Sequence, residues 1–156
     1  MEFESLEAII DFAIEKEREA AEFYQQISDD EEDFSGSKKM FAEFAAEEKK
    51  HEKILLEFKF EGMSKSLQEY QLKWISDIKR SNYLVDLSYE KGMPYNEILL
   101  LAMKREEKAL KLYNDFLEQA ETDEGKKLFK VLCQEEAKHK LALETMYDDY
   151  MAAMGD

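Results

Sequence analysis

The sequence predicts an all-α protein, a four-helix bundle with one long crossover connection. Apolar residues recur at alternating steps of three and four along most of the chain, which is the period of a helix packed on one side. Gly (5) and Pro (1) are scarce among 156 residues. Because β-sandwiches and barrels need many turns, this scarcity argues against them. A length of 156 residues suits a single domain, 1–156.

Four segments carry the helical period strongly enough to predict long amphipathic helices. The first runs from Phe3 through Ile10 and Tyr24 to Ile27, and its steps alternate between three and four residues. The same pattern returns three more times. The predicted helices cover about 3–28, 37–60, 95–119 and 124–150.

Residues with helix-terminating or capping preference lie at the predicted boundaries. Ser35 or Ser37 is a candidate cap for the second helix, and Gly62 follows its end. Pro94 suits the first turn of the third helix. Asp123 is a candidate cap for the fourth. These residues support the predicted bounds.

The links between helices predict two antiparallel hairpins, about 3–60 and 94–150, because the connections inside them are short. The intervening crossover, about 61–93, is long enough to run the length of the bundle. Apolar spacing predicts an extra helix within it, at Leu67, Tyr70, Trp74 and Ile78.

The chain also repeats itself, which predicts a duplicated helical hairpin. AIEKEREAAEFY (13–24) parallels AMKREEKALKLY (102–113), and FAAEEKKHEKIL (44–55) parallels LCQEEAKHKLAL (132–143). The offsets, 89 and 88 residues, agree within one. Such agreement is typical of an internal repeat.

Residues that do not belong in a core lie on the predicted core seams. Each helix has one glutamate in the same phase near its middle, and a histidine follows two of them at i+3, on the same helix face. Burying four carboxylates together is costly unless protons or cations offset their charge. Carboxylates with imidazoles suit pairs of ions such as Fe or Mn. The predicted ligands are Glu17, Glu48, His51, Glu106, Glu136 and His139.

Each of these residues, taken alone, also has an ordinary structural interpretation. A single Glu-x-x-His is weak evidence for a metal site in a glutamate-rich chain, and most glutamates in proteins are exposed. Here the only two histidines both lie in this context, in duplicated segments. A structural helical protein that binds metal or a partner without turnover stays open as an alternative.

The repeated pattern A-[I/M]-x-x-E-x-x-A-x-x-[F/L]-Y, followed by E-E-x-x-H, resembles the rubrerythrin-like branch of the ferritin-like superfamily. The resemblance covers both halves of the chain and implies a ferritin-like bundle with a di-iron centre. It also implies that Tyr24 and Tyr113 hydrogen-bond ligand carboxylates, although either could simply be a core aromatic residue. The implied roles are terminal ligands for Glu17 and Glu106, bridging ligands for Glu48 and Glu136, and one iron each for His51 and His139.

Two departures from the family pattern bear on the expected activity. Full rubrerythrins carry a four-cysteine rubredoxin domain, whereas Cys133 is the single cysteine here. The family also places a glutamate three residues before the third-helix ligand, where this chain has Met103. Electrons would therefore come from an external donor, and iron movement with redox state is in doubt.

The resemblance implies a di-iron oxidoreductase that reduces hydrogen peroxide with two Fe(II) ions and an external donor such as a rubredoxin-type protein. The alternative within the same fold is a ferroxidase that oxidises Fe(II) with O₂ or peroxide. Mn or Zn could substitute for Fe at such a site. Off-seam aromatic residues favour a homodimer, and the long crossover would allow its hairpins to be exchanged.

The net charge of −15 excludes several partners. A chain this acidic repels nucleic-acid phosphates and anionic membrane surfaces. The longest apolar run is too short to span a bilayer, and the N-terminus carries acids where a signal peptide has basic residues. We therefore expect no nucleic-acid or membrane partner and a cytoplasmic location.

Overall fold

The computed structural model of the chain describes residues 3–73, 75 and 88–154, and in these residues it is all-α, with no strand. The predicted fold class is confirmed. Of the predicted crossover helix, Leu67 lies in a short helix, whereas Trp74 and Ile78 lie outside the described residues. The described helices are α1 (Leu6–Asp30), α2 (Ser37–Glu61), α3 (Lys65–Glu69), α4 (Tyr95–Gln119) and α5 (Asp123–Ala153).

Serine and threonine hydroxyls cap the starts of α1 and α5. The Ser5 Oγ accepts a hydrogen bond from the Ala8 N–H at 3.1 Å. The Thr122 Oγ1 accepts one from the Gly125 N–H at 3.0 Å. The expectation that Asp123 caps α5 is therefore wrong by one residue, because Thr122 satisfies the free N–H of the first turn.

The start of α2 also differs from the prediction. Its cap is Gly36, with φ 89° and no side-chain cap bond, so neither Ser35 nor Ser37 caps this helix. Ser37 is already helical, and its Oγ instead accepts a hydrogen bond from the Phe34 N–H at 2.8 Å. The hydroxyl is thus used to close the preceding turn. A glycine suits the cap because its backbone is left-handed there.

Two compact units make up the structure, Met1–Tyr70 with Ala120–Leu128 and Gln71–Gln119 with Phe129–Asp156. That the whole chain forms one domain stays a prediction. Among the described residues, every helix is too short or too polar to cross a lipid bilayer.

In the first unit, α1 and α2 pack as an antiparallel hairpin that is tied at both ends. At the open end, the Lys59 Nζ donates a hydrogen bond to the Asp11 carboxylate at 2.6 Å, and that bond raises the pKa of Lys59. At the loop end, the Ser28 Oγ donates to the Lys38 carbonyl at 2.7 Å. The buried core of this hairpin includes Ile10, Ala13, Tyr24, Ile27, Phe41 and Leu55.

In the second unit, α4 pairs with the longer part of α5. The Tyr95 and Tyr150 rings meet with centroids 5.0 Å apart. The crossover segment at Gln71 and Lys73 lies on α5, because the Gln134 amide accepts a hydrogen bond from the Lys73 N–H and donates one to the Gln71 carbonyl. The buried core here includes Leu99, Ala102, Met103, Tyr113, Phe116, Leu132 and Leu143.

Candidate metal centre

The α1/α2 hairpin brings three predicted ligands together in its interior. Glu17 comes from α1, and Glu48 and His51 come from one face of α2, one turn apart. All three are buried, with at most 3% of their surface exposed. The His51 Nδ1 lies 3.4 Å from the Glu17 Oε2 and 3.7 Å from the Glu48 Oε1. One donor atom from each residue lies within 4.8 Å of the other two.

The α4/α5 pair builds a second set of the same composition. Glu106 comes from α4, and Glu136 and His139 come from α5. These residues are also at most 3% exposed. The His139 Nδ1 lies 3.4 Å from the Glu106 Oε1, the same separation as in the first set. The three donor atoms again lie within 4.8 Å of one another.

The structure therefore places all six predicted ligands in two sets of three. We call Glu17, Glu48 and His51 the α1/α2 half-site, and we call Glu106, Glu136 and His139 the α4/α5 half-site. Each half-site has two carboxylates and one imidazole from two helices. The joining of the half-sites into one centre stays a prediction, as do the bridging and terminal roles.

Each half-site suits a divalent first-row ion. Carboxylate oxygens and imidazole nitrogens bind such ions at about 2.0–2.2 Å, which places neighbouring donors about 3–3.5 Å apart. The Nδ1-to-carboxylate separation is 3.4 Å in both half-sites. Two carboxylates and a neutral imidazole also match the charge of one divalent cation. A bound cation would offset the cost of burying these carboxylates.

Buried tyrosines pack on phenylalanine rings in both units. In the first unit, the Tyr24 ring stacks on Phe41 with centroids 6.0 Å apart and meets Phe44 edge-on at 5.3 Å. In the second, Tyr113 stacks on Phe129 at 6.4 Å. Both tyrosines are 1% exposed. Both therefore lie in the core, and their hydrogen bonds to ligand carboxylates stay a prediction.

Met103 lies one turn before Glu106 on α4 and is fully buried. A thioether is a weak acceptor and, unlike a carboxylate, a poor ligand for Fe or Mn. The α4/α5 half-site therefore has no carboxylate at this position beside Glu106.

Compared with models of known protein families, the chain matches Rubrerythrin over residues 8–147. The chain belongs to the rubrerythrin family. All six ligand candidates lie within the matched range. Rubrerythrins are a ferritin-like family of di-iron proteins, so the ferritin-like fold class is confirmed and the two buried half-sites are compatible with a di-iron centre. No curated protein and no solved structure matches this chain.

Two ion pairs beside the ligand candidates could not be identified from the sequence. Arg18 pairs with Glu52, and each directly follows a ligand candidate. On α5, the Lys140 Nζ lies 4.0 Å from the Glu144 Oε2, and both side chains are at most 5% exposed. The i, i+4 spacing of Lys140 and Glu144 is a sequence signal that favours the second pair.

The thiol of Cys133, in the first part of α5, is expected to be unreactive in the folded protein. Burial, and secondarily the nearby Glu136 carboxylate, raises its pKa to about 12. A free cysteine has a pKa of about 8.5, and the thiolate is the reactive form, so we expect alkylation at pH 8 to be at least about 100-fold slower than in the unfolded chain. Iodoacetamide labelling with and without denaturant measures this ratio, and equal rates would contradict it.

Proposed function

We propose that this rubrerythrin-family chain is a di-iron oxidoreductase that reduces hydrogen peroxide and receives electrons from an external donor. The observation that carries the proposal is the duplication of one buried ligand set, two carboxylates and an imidazole. Each half-site offers the donors and charge for one divalent ion, and family membership supports two such ions in one centre.

Within this proposal, the chain's own residues hold, orient and shield the metal centre. Glu17 and His51 on one side, with Glu106 and His139 on the other, would each fix one ion, and Glu48 and Glu136 would be shared. Two bound Fe(II) ions would supply the two electrons that, with two protons, reduce H₂O₂ to two water molecules. Burial of all six side chains limits the access of bulk water.

Tyr24 and Tyr113 would orient the ligand carboxylates. Each is buried, and each has its ring held by a stacked phenylalanine, so a phenol bonded to a carboxylate oxygen would have little freedom to move. Such outer hydrogen bonds tune metal affinity and ligand orientation. We place the electron donor outside these 156 residues, because one cysteine cannot form a rubredoxin-type four-cysteine site.

The first test is iron stoichiometry after anaerobic Fe(II) reconstitution, followed by stopped-flow oxidation with peroxide and with O₂. We expect two irons per chain and much faster oxidation by peroxide. Much faster oxidation by O₂ would reject peroxide reduction in favour of the ferroxidase alternative. A helical protein that retains no iron would reject the metal centre itself.

A further inference from the structure

An ion pair crosses from α1 to α2 directly beside the α1/α2 half-site. Arg18 follows Glu17 on α1, and Glu52 follows His51 on α2. The Arg18 guanidinium donates a hydrogen bond to the Glu52 carboxylate. The Arg18 side chain is 51% exposed and that of Glu52 is 19% exposed. The pair therefore lies at the edge of the hairpin, one residue from two ligands.

The internal repeat places opposite charges at the equivalent positions of the second half. The positions equivalent to Arg18 and Glu52 are Glu107 and Lys140, at the offsets of 89 and 88 residues, so the charges are exchanged. The Lys140 Nζ lies 4.0 Å from the Glu144 Oε2 on its own helix, and Glu107 lies 3.8 Å from Lys104 on its own helix. Identical ligand sets are thus flanked by different charge arrangements.

We propose that Arg18 and Glu52 are positioning residues that hold α1 and α2 at the spacing the α1/α2 half-site needs to bind its metal ion. The inference rests on the proposed metal centre and adds a residue pair that supports one of its two ion positions. A shift of α1 relative to α2 at Arg18 displaces Glu17 relative to His51, since each partner is covalently next to a ligand. Ligand sites tolerate errors of only about 0.5 Å.

Two physical arguments favour a positioning role over a contribution to folding. A half-exposed ion pair adds little to the stability of a protein. Residues that orient metal ligands, in contrast, typically change metal affinity about 10–100-fold when they are mutated. The planar guanidinium suits this task, because its fixed donors restrict the carboxylate more than an ammonium would.

The test compares Arg18→Gln with Lys16→Gln in titrations of the metal-free protein with Co(II), followed by visible absorption. Lys16 flanks Glu17 on its other side, is 47% exposed and pairs with Glu19 on the same helix. Both changes remove one positive charge beside the same ligand. We expect Arg18→Gln to lower the affinity for one of the two Co(II) ions about tenfold, and Lys16→Gln to leave both affinities unchanged.

The exchanged pair, Arg18→Glu with Glu52→Arg, supplies the rescue. We expect it to restore the lost affinity, with the melting temperature of the metal-free protein unchanged in all variants. The inference is overturned if Arg18→Gln titrates like Lys16→Gln, if the exchange fails to restore affinity, or if the melting temperature falls together with affinity. If the unmodified protein binds no Co(II), the proposed metal centre fails instead.

Discussion

Replacing Glu48 with alanine is expected to abolish the binding of both metal ions. Glu48 is 1% exposed and lies 3.7 Å from the His51 Nδ1, so its carboxylate is available to an ion bound by that imidazole. If Glu48 is shared between the ions, as we propose, its loss weakens both positions. Glu136→Ala, in the α4/α5 half-site, should act in the same way. Metal analysis after Fe(II) or Mn(II) reconstitution measures the effect.

The same variants should lose the stabilisation that metal gives to the fold. A ligand present at 100 times its dissociation constant stabilises the native state by about 2.7 kcal/mol, and two ions would add about twice that. We therefore expect Mn(II) to raise the melting temperature of the unmodified protein by several degrees and to leave that of Glu48→Ala unchanged. Glu43→Ala is the matched control, because Glu43 is exposed on the same helix.

The control separates loss of a ligand from loss of charge. Glu43→Ala changes the net charge by the same amount as Glu48→Ala, and it should retain two metal ions and their stabilisation. Circular dichroism of the metal-free variants should show unchanged helix content, because most of the core lies in apolar residues of both helices. Retention of two ions by Glu48→Ala would remove Glu48 from the ligand set.

The helices and the ligand candidates could be predicted because both follow one periodic signal. The predicted third long helix, about 95–119, is Tyr95–Gln119, and the predicted second, about 37–60, is Ser37–Glu61. The apolar period that identifies the buried face of each helix also shows which glutamates lie on that face. Buried carboxylates at 1–3% exposure are rare enough that their phase on the helix is informative.

The caps and the ion pairs could not be predicted because several residues compete for each role. Neighbouring polar residues, Thr122 and Asp123, could each cap α5, and only the backbone path decides between them. With 37 acidic and 22 basic residues in the chain, any one pair such as Arg18 with Glu52 is one of many possible combinations. Pairing between two helices depends on the rotation of each helix about its own axis. The apolar period does not define that rotation closely enough to identify individual pairs.

Replacing Phe129 with alanine is expected to destabilise the metal-free protein by about 3–5 kcal/mol, the usual cost of removing a buried phenylalanine. Phe129 is fully buried, and its ring lies 5.5 Å from that of Phe116 and 6.4 Å from that of Tyr113. Its loss leaves a cavity between α4 and α5. Urea denaturation of the metal-free variants measures the change. Phe60→Ala is the control. Because Phe60 is 74% exposed, its substitution should lower the free energy of unfolding by at most about 0.5 kcal/mol.

The repeat makes this prediction sharper, because Phe41 is the equivalent of Phe129 in the first unit. Phe41 is 2% exposed and stacks on Tyr24 as Phe129 stacks on Tyr113, so Phe41→Ala should cost a similar amount. A cost below about 1 kcal/mol for either variant would mean that its ring is not part of a close-packed core. Both variants also remove the support of a tyrosine that we propose orients ligand carboxylates. We therefore expect weaker metal binding in both, even under conditions where they remain folded.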